Sequence, residues 1–304
     1  MRVLIIGLGS IAKKHISALR IVCNKPVIYA LRSSNDAFKY TDVINVYSLE
    51  EISVNFDFVL ITNPSNLHKI YIDYFVSKDT PIFVEKPVVT DLHSIEFVSN
   101  LLLGRDLPTY VGCNLRFRSS LIYLRNMIYQ NKSNVNEVNI YCGSYLPDWR
   151  KGTDYRKSYS ADSRTGGGVH LDLFHELDYV VWLFGMPNDK SVILRKTSSL
   201  EINSPDYASY TFSYENYTIN VILNYYRPIP KRNIEVVFSN DIITVDLINN
   251  RVNSAIEGDV FSDDIDFNQT YIEQMKHFID VVKGRSASLN SIEESLEVLK
   301  LILD

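Results

Sequence analysis

Val3-Leu4-Ile5-Ile6-Gly7-Leu8-Gly9-Ser10-Ile11-Ala12 is the stretch whose reading decides the fold. Four apolar residues, three of them β-branched, predict a strand buried on both faces of a sheet. They run directly into G-x-G-x-x-A, and the stretch behind it, roughly 11–22, predicts a helix. Gly7 permits a tight turn, Gly9 lets the backbone approach a pyrophosphate, and Ala12 permits close helix–strand packing. Free N–H groups at the helix start, around Leu8, Ser10 and Ile11, would hold the phosphate. Strand, glycine turn and helix in this order predict dinucleotide binding. His15 lies on the same helix, where packing is the role read for it.

Outward from this start, strands and helices alternate. Residues 26–31 predict a second strand, whose end should carry an acid if a ribose diol is to be held. Leu31 stands there instead, followed by Arg32, Ser33 and Ser34, which suit a 2′-phosphate. NADP(H) is therefore expected over NAD(H), the alternative being a solvated loop arginine. Residues 57–61 form another buried strand, ending in Thr62-Asn63-Pro64-Ser65-Asn66 and a helix over 67–76 that carries His68; this end too should face the cofactor. Pro81-Ile82-Phe83-Val84 is a further strand, ended by Glu85-Lys86-Pro87. Ligands of open α/β sheets sit beyond the carboxyl ends of the strands, so Lys86 is aimed at a ligand unless it is a solvated strand-end charge. A helix over 91–103 stops at Gly104, and a strand over 108–113 ends in Asn114-Leu115-Arg116-Phe117. The alternation ceases there. The expected organisation is an α/β protein: a Rossmann dinucleotide-binding domain over 1–117, then an α+β domain over 118–304 with a largely antiparallel open sheet.

After a helix over 119–130, strand-like runs dominate at 135–145, 191–196, 207–214, 217–226, 233–238 and 242–247, several alternating as for a sheet with one covered face. Helices over 269–282 and 291–303 close the chain, the last opening with the capping box Ser291-Ile292-Glu293-Glu294. Gly166-Gly167-Gly168 leads into a helix predicted over 169–184. At 100° per residue, Asp172 and His175 fall within about 60° of each other on one face. Such a pair can serve as a base with an orienting or substrate-holding carboxylate, or as an ion pair at the core edge. His170, Glu176 and Asp178 point elsewhere. The loop before it, with Trp149, Arg150 and Tyr155, is dense in cations and aromatics, fit to grip a sugar, a phosphate or the cofactor, or to lie exposed. The acids and imidazoles lack metal-ligand spacing, so no metal is expected.

Composition bounds the rest. The 304 residues suit two domains, with 46% hydrophobic and 22% charged residues as in ordinary globular proteins. Lys plus Arg at 31 against Asp plus Glu at 36 gives −5, which argues against nucleic acid or an anionic membrane as partner. Cys23, Cys113 and Cys142 are scattered thiols, read as those of a reduced, cytoplasmic protein. No run suits a signal peptide or a membrane span.

Gly7-x-Gly9-Ser10-Ile11-Ala12, Asn63-Pro64-Ser65 with His68, Glu85-Lys86-Pro87, Gly112-x-Asn114-x-Arg116-Phe117 and the glycine run leading to Asp172 and His175 occur in one order and spacing. Together they resemble the Gfo/Idh/MocA oxidoreductase family. The resemblance implies an NAD(P)-dependent enzyme moving hydride to or from a secondary hydroxyl or carbonyl of a sugar, nucleotide sugar or cyclitol, with a hint of surface-carbohydrate synthesis. It implies that Lys86 contacts the reacting hydroxyl and the nicotinamide ribose, that His175 exchanges the hydroxyl proton, and that Asp172 holds a substrate hydroxyl or tunes His175. Glu85, Asn114 and His68 would belong to the cofactor side and Arg116 to the substrate side, with a cis Lys86–Pro87 peptide and a homo-oligomer formed through the second sheet. The family usually spaces its Asp and His four residues apart, and here the interval is three, with one residue missing between Asp172 and His175. A silent dinucleotide-binding sensor is the rival reading; such members lack the lysine or the histidine, and both are present here.

Overall fold

The computed structural model describes residues 1–34, 40–131 and 134–304, arranged in two units. The first comprises Met1–Asn114 and Phe267–Asp304, the second Leu115–Asp266.

The first unit is built on six parallel strands: β1 (Arg2–Ile6), β2 (Val27–Leu31), β3 (Val43–Val46), β4 (Phe58–Ile61), β5 (Ile82–Val84) and β6 (Thr109–Val111), in the order β3-β2-β1-β4-β5-β6. The order reverses between β1 and β4, where such sheets open a crevice for ligands. β4, β5 and β6 are buried throughout, as a parallel sheet covered on both faces requires. Helices α1 (Ser10–Val22), α2 (His68–Val76) and α3 (Leu92–Leu102) connect the strands, and Asp91 caps α3 by accepting from the Ser94 N–H.

The expected boundary stood at 117/118; the first unit runs to Asn114 and takes in the last two helices, α7 (Gln269–Val282) and α8 (Ile292–Leu303). The reason is what they cover. The fully buried Phe278 of α7 sets its ring 5.0 Å from Phe58 and 5.4 Å from Phe83. The segment before α8 closes the free edge of β6: Val111 N–H donates to Asn290 O at 2.9 Å, and Ile292 N–H to Thr109 Oγ1 at 3.1 Å. The capping box forms as expected, Ser291 and Glu294 each accepting from the other's N–H.

The second unit carries an eight-stranded sheet of β7 (Val135–Tyr145), β8 (Asp189–Arg195), β9 (Tyr207–Ser213), β10 (Thr218–Asn224), β11 (Tyr226–Phe238), β12 (Ile242–Asp246), β13 (Arg251–Ser254) and β14 (Gly258–Ser262). Its order is β14-β13-β12-β11-β7-β10-β9-β8, antiparallel except where β10 runs parallel to β7. β9 and β10 alternate between buried and half-buried residues, so one face is covered and the other open, as the alternation predicted. Helix α4 (Ser119–Asn131) precedes the sheet.

The helix expected over 169–184 is instead two, α5 (Val169–Asp172) and α6 (Phe174–Phe184), broken at Leu173 with φ −93° and ψ 34°. Helical arithmetic does not carry across that residue, so the shared face predicted for Asp172 and His175 is not a property of this segment. The strands β3, β13 and β14 were not expected from the sequence.

Candidate functional site

In the first unit, the carboxyl ends of β1, β2 and β4 border a cleft of ≈ 710 Å³ lined by Gly7, Leu8, Gly9, Arg32, Ser33, Thr62, Asn63 and Pro64, with Tyr47, Ser48, Leu49 and Glu50. Gly7 adopts φ +83°, and a Cβ there would stand 3.1 Å from the Asn63 Cα; Gly9 has no atom within 4 Å of where a side chain would begin. The backbone of the turn is therefore open to a ligand at Gly9 and pressed against the β4 end at Gly7. Thr62 braces the same place, its hydroxyl donating to the Ile6 and Gly7 carbonyls at 3.0 Å each. Ser10 and Ile11 begin α1 beyond the turn, and Ser34 follows Ser33, exposed. Both polar atoms of the Asn63 amide are buried in the cleft wall with no hydrogen-bond partner. A buried amide in this state suits a polar ligand in the cleft, as the polar groups of a dinucleotide would be. Arg32 is half-buried, with its Nη1 donating to Asn45 Oδ1 at 2.9 Å.

Lys86 follows β5, half-buried, and its peptide bond to Pro87 is cis. Glu85 turns toward α1, where its Oε1 lies 2.6 Å from Nε2 of His15. Glu85 fills the space that a side chain at Gly112 would need, the carboxylate oxygen lying 2.7 Å from that Cβ position. His68 is fully buried with both ring nitrogens facing backbone carbonyls, Nδ1 3.1 Å from Pro87 O and 3.2 Å from Val88 O and Nε2 2.9 Å from Asn63 O, of which the one N–H of a neutral ring serves one side. Burial pushes its pKa down. Asn114 is buried too, donating from Nδ2 to Thr270 Oγ1 at 2.7 Å.

In the second unit Asp172 is buried and accepts from the Tyr225 hydroxyl at 2.5 Å. Burial and then the Asp172 charge push the tyrosine pKa well up, so the phenol keeps its proton and donates. Trp149 stands edge-on to the Tyr225 ring at 5.3 Å and donates from Nε1 to Ser144 Oγ at 2.8 Å. Arg150 places its guanidinium 5.1 Å above the Tyr159 ring, and Tyr155 OH accepts from the Glu201 N–H at 3.3 Å. His175 is half-buried at the second position of α6. Arg116, expected toward the substrate, is buried and engages Asp178 through two bonds, Nε to Oδ2 at 3.0 Å and Nη2 to Oδ1 at 2.7 Å. That bidentate pair ties its fork to α6, and no substrate role is carried forward for it. Among the described residues, no three His, Cys, Asp or Glu side chains are grouped as metal ligands, and no helix is long and apolar enough to cross a membrane.

Two contributions were not read in the sequence. Tyr47–Glu50 line the cleft, and Glu51 Oε2 accepts from the Tyr47 N–H to close this turn, which no pattern in the sequence marked. Tyr225, which holds Asp172, has no local pattern to mark it.

A family model described as "Oxidoreductase family, NAD-binding Rossmann fold" matches residues 1–112, and one described as "Oxidoreductase family, C-terminal alpha/beta domain" matches 134–303. The chain belongs to the Gfo/Idh/MocA oxidoreductase family. Among curated proteins it is similar to glucose-6-phosphate 3-dehydrogenase of Bacillus subtilis (strain 168), 23% identical over 190 residues, or 59% of this chain. The match spans about half of that relative, 53% of its length. UDP-N-acetylglucosamine 3-dehydrogenase from Acidithiobacillus ferrooxidans superposes with a TM-score of 0.79 at 15% identity, over 99% of this chain and 95% of that one. A Bordetella pertussis dehydrogenase in complex with NADH and UDP-GlcNAcA gives 0.81 at 15%, over 99% and 93%. Myo-inositol 2-dehydrogenase from Lactobacillus plantarum gives 0.79 at 16%, over 99% and 94%. At these identities the likenesses speak for the fold.

His170, buried beside Asp172, has its pKa lowered from 6.5 to about 4 by burial, against the pull of the carboxylate. A depressed histidine pKa means that the unfolded chain takes up the proton first as pH falls. Stability present above pH 6.5 should therefore decline toward pH 4, by about 3 kcal/mol from this group. Urea unfolding followed from neutral to acid pH should show that extra decline in the wild type and lack it in His170→Gln.

Proposed function

We propose that the protein is a cytoplasmic NAD(P)-dependent dehydrogenase or reductase acting on a secondary hydroxyl or carbonyl of a sugar, nucleotide sugar or cyclitol. The observation that carries the proposal is Lys86, a half-buried ammonium at the end of β5, next in the sheet to the strand that ends at the orphaned Asn63 amide. The names of the relatives, which specify a sugar phosphate, a nucleotide sugar and an inositol, support the substrate class. A preference for the nucleotide sugar would point to surface-carbohydrate synthesis.

When bound, the dinucleotide supplies the hydride donor or acceptor at its nicotinamide ring. Gly7, Leu8 and Gly9, with the Ser10 and Ile11 amides, would hold its pyrophosphate, and Thr62, Asn63 and Pro64 its neighbouring ribose. Lys86 donates a hydrogen bond to the reacting oxygen and stabilises negative charge growing there; His175 removes the hydroxyl proton in oxidation and returns it in reduction. Asp172, fixed by Tyr225, is assigned to orienting the start of α6. Trp149, Arg150 and Tyr155 offer the substrate an aromatic surface and a cation, suited to a sugar face and a phosphate. The half-buried face of the second sheet carries a polar ladder, Thr211 to Asn220 to Asn139 to Glu235, which suits pairing with a second copy of the chain.

Lys86→Ala and His175→Ala should each lower kcat about 10²-fold or more, with dinucleotide binding retained in His175→Ala. Turnover assays with sugars and nucleotide sugars, beside fluorescence titration of the reduced cofactor, check this. Tight cofactor binding with no turnover of any of them would favour a sensor.

Arg32 and Ser33 favour a 2′-phosphate, and Leu31 cannot accept from a ribose hydroxyl. NADP(H) should therefore bind more tightly than NAD(H), by roughly ten- to a hundredfold, the value of one hydrogen bond to a charged group. Titration of the wild type and Arg32→Ala with both cofactors should show the difference and its loss; equal or tighter NAD(H) binding by the wild type defeats the assignment.

A further inference from the structure

The turn that bears Lys86 is held at both ends by buried histidines. His15, on α1 directly behind the glycine turn, is fully buried, with Phe83 and Tyr271 edge-on at 4.9 Å and 5.8 Å. Its Nε2 reaches Glu85 Oε1 at 2.6 Å, while its Nδ1 is buried without a partner. Nε2–H is thus the donor, and the carboxylate is fixed against the helix that begins the phosphate turn. His68, at the start of α2, is equally buried. Its Nδ1 faces the Pro87 and Val88 carbonyls at 3.1 Å and 3.2 Å, and its Nε2 faces the Asn63 carbonyl at 2.9 Å. The ring thus lies between the loop after β5 and the loop after β4, and its single N–H donates to one of them. Each imidazole reaches from its own helix to a neighbouring segment.

We propose that His15 and His68 are positioning residues for Lys86: His15 holds Glu85 to α1, and His68 fills the space between Pro87-Val88 and the Asn63 loop, so that the turn is braced at its two ends. The proposal rests on the reading of Lys86 as the group that polarises the reacting oxygen. A lysine chain has four rotatable bonds beyond its backbone, so a fixed backbone is the part of its placement that the fold can control. A misplacement of about 1 Å at such a group is enough to cost about 10²-fold in rate.

The test uses two pairs of variants of the full chain. His15→Phe and His68→Phe keep a ring and remove the N–H; His15→Gln keeps an N–H for Glu85, and His68→Asn keeps one for the carbonyls that surround His68. In the ligand-free protein, backbone amides over residues 85–89 should exchange with deuterium about ten- to a hundredfold faster in the Phe variants, and at close to the wild-type rate in the Gln and Asn variants. With cofactor and sugar, kcat should fall about 10²-fold in the Phe variants while KM for the sugar holds within about threefold, and the Gln and Asn variants should recover most of the loss. Unchanged exchange in the Phe variants overturns the proposal, and so does faster exchange with normal kcat. If ring replacement prevents folding, a folded Gln or Asn variant that loses protection at 85–89 overturns it, and one that matches the wild type in exchange and kcat upholds it. A wild type that turns over no sugar defeats the functional reading, whereas the exchange data from the ligand-free protein still decide whether the histidines hold the turn.

Discussion

Burial of Ile82-Phe83-Val84 on both faces of the parallel sheet is the constraint on which the first unit depends. All three residues are fully buried, and the strand can carry no polar side chain until the sheet ends. Glu85 and Lys86 are the first residues released from that condition. Phe83 is also the ring on which His15 and Phe278 converge, so the same residue seats α1, α7 and the strand that delivers the lysine. The glycine turn after β1, the Asn63 loop after β4 and the Lys86 turn after β5 are successive ends of neighbouring strands. Their spacing is set by sheet geometry, and their chemistry by what the sequence puts one residue past the burial limit.

The second unit solves a different problem, that of placing charge inside a helix-covered sheet. Three carboxylates in the segment 172–178 are buried, and each has a specific partner. Asp172 accepts from Tyr225, Glu176 from Arg232 and Asp178 from Arg116. A buried carboxylate is tolerated when it is hydrogen-bonded and paired, and removing one partner leaves the other stranded. These pairs fasten α5 and α6 at three points: Tyr225, which directly follows β10, Arg232 on β11, and Arg116 just before α4. His175, in the midst of this set, is only half-buried.

Much of this was legible in the sequence, for reasons that also explain the failures. Buried parallel strands are continuous apolar runs, so β1, β4 and β5 could be located closely, and Gly7 to Ala12 marked where the first strand turns. Ser291 and Glu294 form a box whose partners are three residues apart, and such local chemistry is visible in a linear string. Long-range chemistry is not. That α7 and α8 return to the first unit depends on Phe278 meeting Phe58 and on Asn290 reaching Val111, contacts that no local pattern announces. The short strands β13 and β14 carry little alternation beyond Val252, and the break at Leu173 has neither a glycine nor a proline to signal it. Its only trace was the interval between Asp172 and His175, one residue shorter than the family's usual spacing. Arg116 followed the family's motif but could not be distinguished from a ligand-facing arginine until its partner on α6 was seen.

The central claim is that this chain moves hydride between a nicotinamide and a secondary carbinol carbon of a sugar-like ring, with Lys86 and His175 managing the charge and the proton. The most direct measurement is isotope transfer. Sugars, nucleotide sugars and inositols carrying deuterium at their ring carbinol carbons are incubated with the protein and oxidised NADP or NAD, and the recovered cofactor is weighed by mass spectrometry. The account predicts that one deuterium atom appears on the cofactor for each oxidised ring formed, from a single carbon of the preferred substrate. A protein that binds the dinucleotide tightly yet transfers no deuterium from any of these substrates would contradict it.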